Sequence, residues 1–317
     1  MHSEELKNVH IPVMPAEVLS ALKWRATCLN GNTPSSSITV FDGTLGGAGH
    51  AEIILKYLTD TAEPKLNIRY IATDLDALAI QRASKRLGAY SNHTEFLHMS
   101  YLAGLRHLIE QGGVGLDFVH LDLGFSSNQL EDSRFGLSFM RDGPLDMRMS
   151  QSGETAWELL NTLTPVELMK ILSAYGEVHR VGFVAHKIID GIQKGQITNS
   201  TLSLAQYLDR LLRNAKTKSH PATTVFQALR IAVNDELATL HTFLKELPDL
   251  LNDQAVVSII SFHSLEDRIV KYWGNSLELL TPMAKRPLEP TDEELQCNSR
   301  ARSAKLRVYR WVANGKY

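Results

Sequence analysis

Between residues 38 and 122 the chain alternates short apolar runs with amphipathic stretches, the pattern of parallel strands joined by crossover helices. A β-branched run over 38–41 ends at Asp42 and passes through a turn into a helical stretch over 51–58. Residues 68–73, ending at Asp74, predict a second strand, followed by a helix over 77–87 for which Asp76 is the natural N-cap. Thr94–His98 predicts the third strand and 102–111 its helix, stopped by Gly112-Gly113. A fourth strand is expected over 116–121, running into Asp122.

The rhythm then breaks. From about 131 to 221 there are helical patterns and no convincing strand. Thr164-Pro-Val-Glu167 has capping-box spacing with proline at the first helical position, and further helices are expected over 179–194 and 203–214. A long helix over 223–244 leads to a buried strand at 255–261, a helix over 265–273 and an antiparallel edge strand over 305–312. Residues 30–37 and 59–65 have loop composition. The expected architecture is therefore α/β. Residues 1–130 and 222–317 form the sheet domain, and 131–221 form an all-helical insert over the carboxyl ends of the strands, where ligands bind in such folds.

Composition changes this picture little. With 317 residues, 44% apolar content and a net charge of −2, nothing pulls the whole molecule toward nucleic acid, so any such contact must be local. Basic residues do cluster at Arg210, Arg213, Lys216, Lys218 and His220, and again at Arg300, Arg302, Lys305, Arg307 and Arg310. Two cysteines, Cys28 and Cys297, make neither a disulfide framework nor a zinc site, so no metal is expected. No long apolar run and no signal-peptide core occur, which sets a cytoplasmic, membrane-free expectation.

The chemistry concentrates at strand ends. After Asp42 the glycines run Gly43, Gly46, Gly47, Gly49, which is neither the dinucleotide spacing nor a P-loop. An acid ahead of a glycine turn suits a positively charged ligand, and S-adenosylmethionine (SAM) carries a sulfonium and an ammonium. Asp74, about 25 residues past the glycines, stands where a ribose-binding acid belongs. Asp122 faces the position of the reactive end, with Gln129 in the loop beyond it. Gln227, Arg230 and Asn234 share one helix face that could line a cleft. The pair Asp146 and Arg148 suits a staple of the insert to the core. Ser261-Phe-His-Ser264 lacks both the G-x-S-x-G elbow and zinc-protease spacing, leaving His263 as a cleft residue or a plain helix cap.

The motifs His10-Ile-Pro-Val-Met14, Asp42-Gly-Thr-Leu-Gly-Gly-Ala-Gly-His50, Asp122-Leu-Gly-Phe-Ser-Ser-Asn-Gln-Leu130, Asp142-Gly-Pro-Leu-Asp-Met-Arg-Met149, Phe226–Leu237 and 261–271 together resemble the RsmH (MraW) methyltransferases over nearly the whole chain. The resemblance implies a class I SAM-dependent methyltransferase (Rossmann-like) sheet with an inserted all-helical domain for RNA. The implied reaction is methylation of a cytidine N4 amine in small-subunit ribosomal RNA, within a ribosomal particle, with a homodimer left open. By position it implies cofactor contacts at Ala48, Gly49, His50, Asp74, Tyr101, Asp122 and Gln129. Asp122 is the expected catalytic acceptor, with His263 and Gln227 holding the base. Three positions depart from the family pattern: Phe135, Val178 and Thr224 stand where Arg, Glu and Arg are usual, and Arg134 adjoins the first. Methylation of another acceptor, or a non-catalytic assembly factor that binds SAM or RNA, are the competing expectations.

Overall fold

The computed structural model describes residues 11–29, 37–62, 66–150, 152–212 and 220–313. His10, Arg213, Lys216 and Lys218, and most of the loops expected at 30–37 and 59–65, lie outside them. The chain packs as two compact units, Met1–Gly124 with Thr239–Tyr317, and Phe125–Ala238.

The first unit begins with α1 (Pro15–Leu29), an element the sequence pattern does not announce, and continues β1 (Ser37–Asp42), α2 (Gly49–Asp60), β2 (Asn67–Asp74), α3 (Ala77–Arg86), β3 (Thr94–His98), α4 (Tyr101–Glu110) and β4 (Leu116–Asp122). The second unit holds α5 (Ser127–Glu131), α6 (Ala156–Thr162), α7 (Pro165–Gly176), α8 (Val181–Gln193), α9 (Thr201–Leu212) and α10 (Ala222–Asn234). Then come α11 (Glu236–Glu246), β5 (Leu251–Ser261), α12 (Ser264–Ser276), β6 (Leu280–Pro282), α13 (Asp292–Cys297) and β7 (Lys305–Trp311).

The sheet runs β3-β2-β1-β4-β5-β7-β6, parallel through β5, with β7 antiparallel to both its neighbours. This is the class I methyltransferase sheet. Its register explains the apolar runs. Val40, Tyr70 and Phe118 lie side by side and point into one core with α1 and α2, while the next residues, Phe41, Ile71 and Val119, point into the other with α4, α11 and α12. Strands covered on both faces must be apolar at successive positions, so they lose the alternation of a half-exposed strand. At β1 the connections diverge, to β2 on one side and β4 on the other, which opens a crevice at their carboxyl ends.

Two expected elements change. The helix expected over 223–244 is broken between α10 and α11 at Asp235, whose φ of 49° is left-handed, a conformation that Asp tolerates better than most residues. The strand expected at the sheet edge is the penultimate one. Outside β7 lies the three-residue β6, whose Pro282 sits where an edge strand can spare a donor.

The helical unit has its own core, built from residues such as Leu160, Leu168, Val184, Ile188, Leu204 and Leu229. Helix α10, expected with the sheet domain, contributes Val225, Phe226 and Leu229 to this core, so the packing boundary falls after Ala238 rather than at 221. Helices α7 and α10 meet at Gly176, where a Cβ would stand 2.7 Å from the Thr224 carbonyl oxygen and 3.1 Å from the Ala228 Cβ. Local capping boxes fix where the helices start: Thr155 with Glu158, and Thr164 with Glu167 as its spacing predicts.

Candidate active site

The glycine turn is stapled to the strands on either side of β1. Gly43 N–H donates to the His120 carbonyl at 2.9 Å, and Leu45 N–H to that of Thr73 at 3.0 Å. A side chain at 43 would overlap the Leu121 side chain and stand 2.7 Å from the Tyr101 Cβ, so glycine is required by space. Gly46 and Ala48 are left-handed, with φ of 50° and 59°. For an alanine this costs about 1–2 kcal/mol. The return on that strain is a sharp entry into α2, whose first turn has no side-chain cap and so presents backbone donors. Arg86 braces the turn from outside, donating to the Gly47 carbonyl at 2.7 Å while paired with Glu52 at 2.6 Å.

Three carboxylates surround this turn. Asp42 is buried, accepting from the Tyr70 hydroxyl at 2.7 Å and from Thr44 N–H at 3.1 Å. Burial lifts its pKa to about 6, against the lowering effect of those two donors, and nearby Asp74 adds to the rise. Asp74 accepts from Gly46 N–H at 2.7 Å and from Asp76 N–H at 2.8 Å, and burial raises it too. The neighbouring Asp76 caps α3 through Leu78 N–H, as expected, which leaves Asp74 as the acid facing the glycine turn.

Asp122 is the third acid. Its own N–H donates to Thr44 Oγ1 at 2.6 Å, so the ends of β1 and β4 are tied together. Its carboxylate Oδ1 is buried with no hydrogen-bond donor among the described residues, and Oδ2 lies 3.8 Å from His50 Nε2. Burial pushes its pKa up to about 7; the Arg300 charge opposes this, and the Asp42 and Glu266 charges reinforce it. Beneath it the His50 and His120 rings pack with centroids 4.5 Å apart, and His120 Nδ1 is 3.4 Å from Ser258 Oγ. Burial drops His120 to about 4, so it is a neutral imidazole under the acid. Sequence reasoning finds the acids, through their place at strand ends, but not Thr44, Tyr70, His120 or Arg300.

His263 serves as a helix cap through one ring nitrogen, and its other, Nε2, is buried with no hydrogen-bond partner among the described residues. It is the N-cap of α12: its Nδ1 accepts from Glu266 N–H at 3.4 Å, and Glu266 reaches back to the Phe262 and His263 amides at 2.8 and 3.3 Å. Tyr101 opens α4 with its ring edge-on to Phe243, centroids 5.1 Å apart. Its Cβ beside Gly43 puts an aromatic next to the turn.

The profile of the MraW methylase family matches residues 7–312. The chain belongs to this family. It is 40% identical to a ribosomal RNA small subunit methyltransferase H of Deinococcus deserti, over 95% of this chain and 92% of that protein. A protein of the same name from Geobacter sp. is 39% identical, over 94% of this chain and 97% of that protein.

In this MraW-family chain the expected residues of the helical unit make several contacts within that unit. Gln129 completes a capping box with Ser126, its Oε1 accepting from Ser126 N–H at 3.0 Å. Gln227 Nε2 donates to the Tyr175 carbonyl at 3.0 Å, joining α10 to α7. Arg230 forms a two-point pair with Glu236 at 2.7 and 2.9 Å across the helix break. Asn234 binds Met149 N–H and the Met147 carbonyl, each at 2.7 Å. Arg148 pairs with Asp146 at 2.8 Å, a contact two residues apart within the helical unit. Phe135 and Val178 pack on the helical core of this MraW-family unit, Val178 lying against the Gly176 crossing.

The basic tail is also partly used inside the sheet unit. Arg307 pairs with Asp267 at 2.7 Å, and Arg310 stacks its guanidinium over Trp24, 5.5 Å from the ring centroid. Cys28 and Cys297 are exposed free thiols. Among the described residues no helix is long and apolar enough to cross a membrane.

Proposed function

We propose that this protein transfers a methyl group from S-adenosylmethionine to the N4 amine of a cytidine in small-subunit ribosomal RNA, working in the cytoplasm. The observation that carries the reading is Asp122 Oδ1, a buried acceptor at the end of β4, in a chain 40% identical over nearly its full length to a small-subunit methyltransferase. A buried acceptor without a donor costs stability unless a ligand's donor meets it.

The residues suit the cofactor. Uncapped amides at the start of α2 and the backbone of Ala48, Gly49 and His50 offer donors, Asp74 offers acceptors to ribose hydroxyls, and Tyr101 offers an aromatic face. Gln129 is assigned to the same cofactor by its place in the family motif. When bound, SAM supplies an electrophilic methyl on a cationic sulfur. Asp42, Asp74 and Asp122 are a negative setting for that charge.

An exocyclic amine is a weak nucleophile because its lone pair is shared with the ring. Asp122 accepting one of its N–H groups localises that pair and fixes its direction. The proton leaves after transfer, so Asp122 need only be ionised, and the Arg300 charge is the one that favours this form. We assign Gln227 to holding the α7–α10 crossing, where its Nε2 is engaged. His263 holds α12 through Nδ1, while its buried Nε2, without a hydrogen-bond partner among the described residues, serves the base.

The test uses tritiated SAM, unmethylated small ribosomal subunits, and nucleoside mass spectrometry after digestion. N4-methylcytidine that disappears with Asp122→Ala is the expected result. SAM binding without transfer to RNA would overturn the reading in favour of a non-catalytic factor or another acceptor.

A further inference from the structure

One face of the helical unit carries cations that are not spent on carboxylates. Arg134, Arg148, Arg230 and Lys194 in this unit are each paired with an acid. Arg180 and Lys187 make no ion pair among the described residues; both lie instead over the ring of Phe183, at 4.4 and 6.0 Å from its centroid. Positions 180, 183 and 187 are spaced three and four apart, so they form a single stripe along α8 beside the buried row of Val184 and Ile188. Phe183 is 37% exposed, a large apolar ring at the surface over which the Arg180 guanidinium and, farther off, the Lys187 ammonium lie.

The nearest acid along the helix, Asp190, is bonded to Lys194 at 2.7 Å and also feels the charge of Lys187, which leaves Arg180 as the cation of the stripe with no acid beside it on α8. The link from α7 adds to the case. Glu177 and Arg180 are both left-handed, with φ of 49° and 55°, a conformation that non-glycine residues adopt only when the surroundings hold them there. Arg180 is thereby fixed as the first residue of the stripe, at the N-cap of α8.

We propose that Arg180, Phe183 and Lys187 form a docking surface for a single-stranded stretch of the substrate RNA, with a base stacked on the Phe183 ring as the two cations turn to phosphates. Charge complementarity selects a polyanion, and a ring beside cations selects one with flat bases, because every base has a π-face to stack. An acidic protein segment would use the cations but not the ring. This inference deepens the ribosomal RNA reading and rests on it.

The experiment compares the full chain with R180Q/K187Q, Phe183→Leu and Phe183→Ala, and with Lys85→Gln as a control on the sheet unit. It measures affinity for unmethylated small subunits across a potassium chloride series, SAM affinity, melting temperature and methyl transfer. The double variant is expected to flatten the log–log salt dependence by about 1.4–1.8, or roughly 0.7–0.9 per lost phosphate contact. Phe183→Leu, which keeps apolar bulk but no ring, is expected to weaken binding roughly five-fold or more, as Phe183→Ala does. Lys85→Gln, SAM affinity and melting temperature should be unchanged. Unaltered salt slope and affinity in all three α8 variants would overturn the surface while leaving the methyl-transfer reading in place. Wild-type protein that binds subunits without methylating them, with variants that lose this binding, would keep the surface and sink that reading.

Discussion

The carboxylates at the strand ends of the sheet unit behave oppositely to those along the helical unit. At the strand ends of the sheet unit, Asp42 is buried and Asp74 and Asp122 are half-buried, and desolvation raises the pKa of all three. In the helical unit, Asp142, Glu158 and Glu167 are exposed and Asp132 and Asp190 half-exposed, and all are lowered by donors from a cap, a turn or a cation. The second group stabilises the fold it belongs to. The first is held in an unfavourable state by the fold around it, and such a state persists where a ligand relieves it.

The largest test of this contrast is Asp122→Ala. Methyl transfer should fall by roughly 10²- to 10⁴-fold, the range for a positioned proton acceptor, while circular dichroism and SAM binding show a folded protein. Loss of less than ten-fold would remove Asp122 from the chemistry.

Asp122→Asn sharpens the comparison through stability. A carboxyl whose folded pKa, about 7, lies above its usual 3.8 binds its proton more tightly folded than unfolded. Stability therefore falls as pH rises between those values, and the penalty is complete above about 7. The neutral amide escapes it. The variant should be more stable than wild type at pH 8, by about 2–4 kcal/mol, and lose that advantage near pH 4. Denaturant unfolding at both pH values decides; equal stability at pH 8 would mean the acid carries no strain. For the same reason the wild-type rate should drop as pH falls below about 7, where Asp122 takes its proton.

Gly43→Ala tests the turn itself. The new methyl would push on Leu121 and Tyr101, so a cost of about 1–3 kcal/mol is expected, with SAM affinity falling alongside. Calorimetric titration with SAM and a melting curve give both numbers. An unchanged affinity would show that the turn has slack.

The smallest effect belongs to the helical unit. Thr164→Ala removes the α7 cap and should cost about 1 kcal/mol with no change in SAM affinity. The lowered acids there predict the reverse pH trend: their contribution is present above the usual carboxylate range and is lost on acidification. A Glu167→Gln variant whose stability deficit did not shrink on acidification would contradict this.

Much of the sheet is legible in the chain's apolar pattern. Residues 38–42, 68–74 and 116–122 are apolar runs that end in an acid, and Asp76 and Thr164 sit at cap positions defined by neighbours two or three residues away. The helix break at Asp235 is not legible there, because Asn234 leaves the helical pattern intact while its side chain binds residues 85 and 87 positions earlier. Nor is β6, which is three residues long and too short to show a period.

The same division holds at the site. The sequence alone determined that three acids end three strands and that the first is followed by a glycine turn, because strand, turn and cap are local patterns with fixed spacing. Tertiary structure decided what each acid meets: Tyr70 on Asp42, His50 and Arg300 near Asp122, His120 against Ser258. It also turned Gln227, Arg230 and Asn234 to bonds within the helical unit. These partners are far apart in the chain, and only the order of strands in the sheet and the crossing of packed helices bring them within bonding distance.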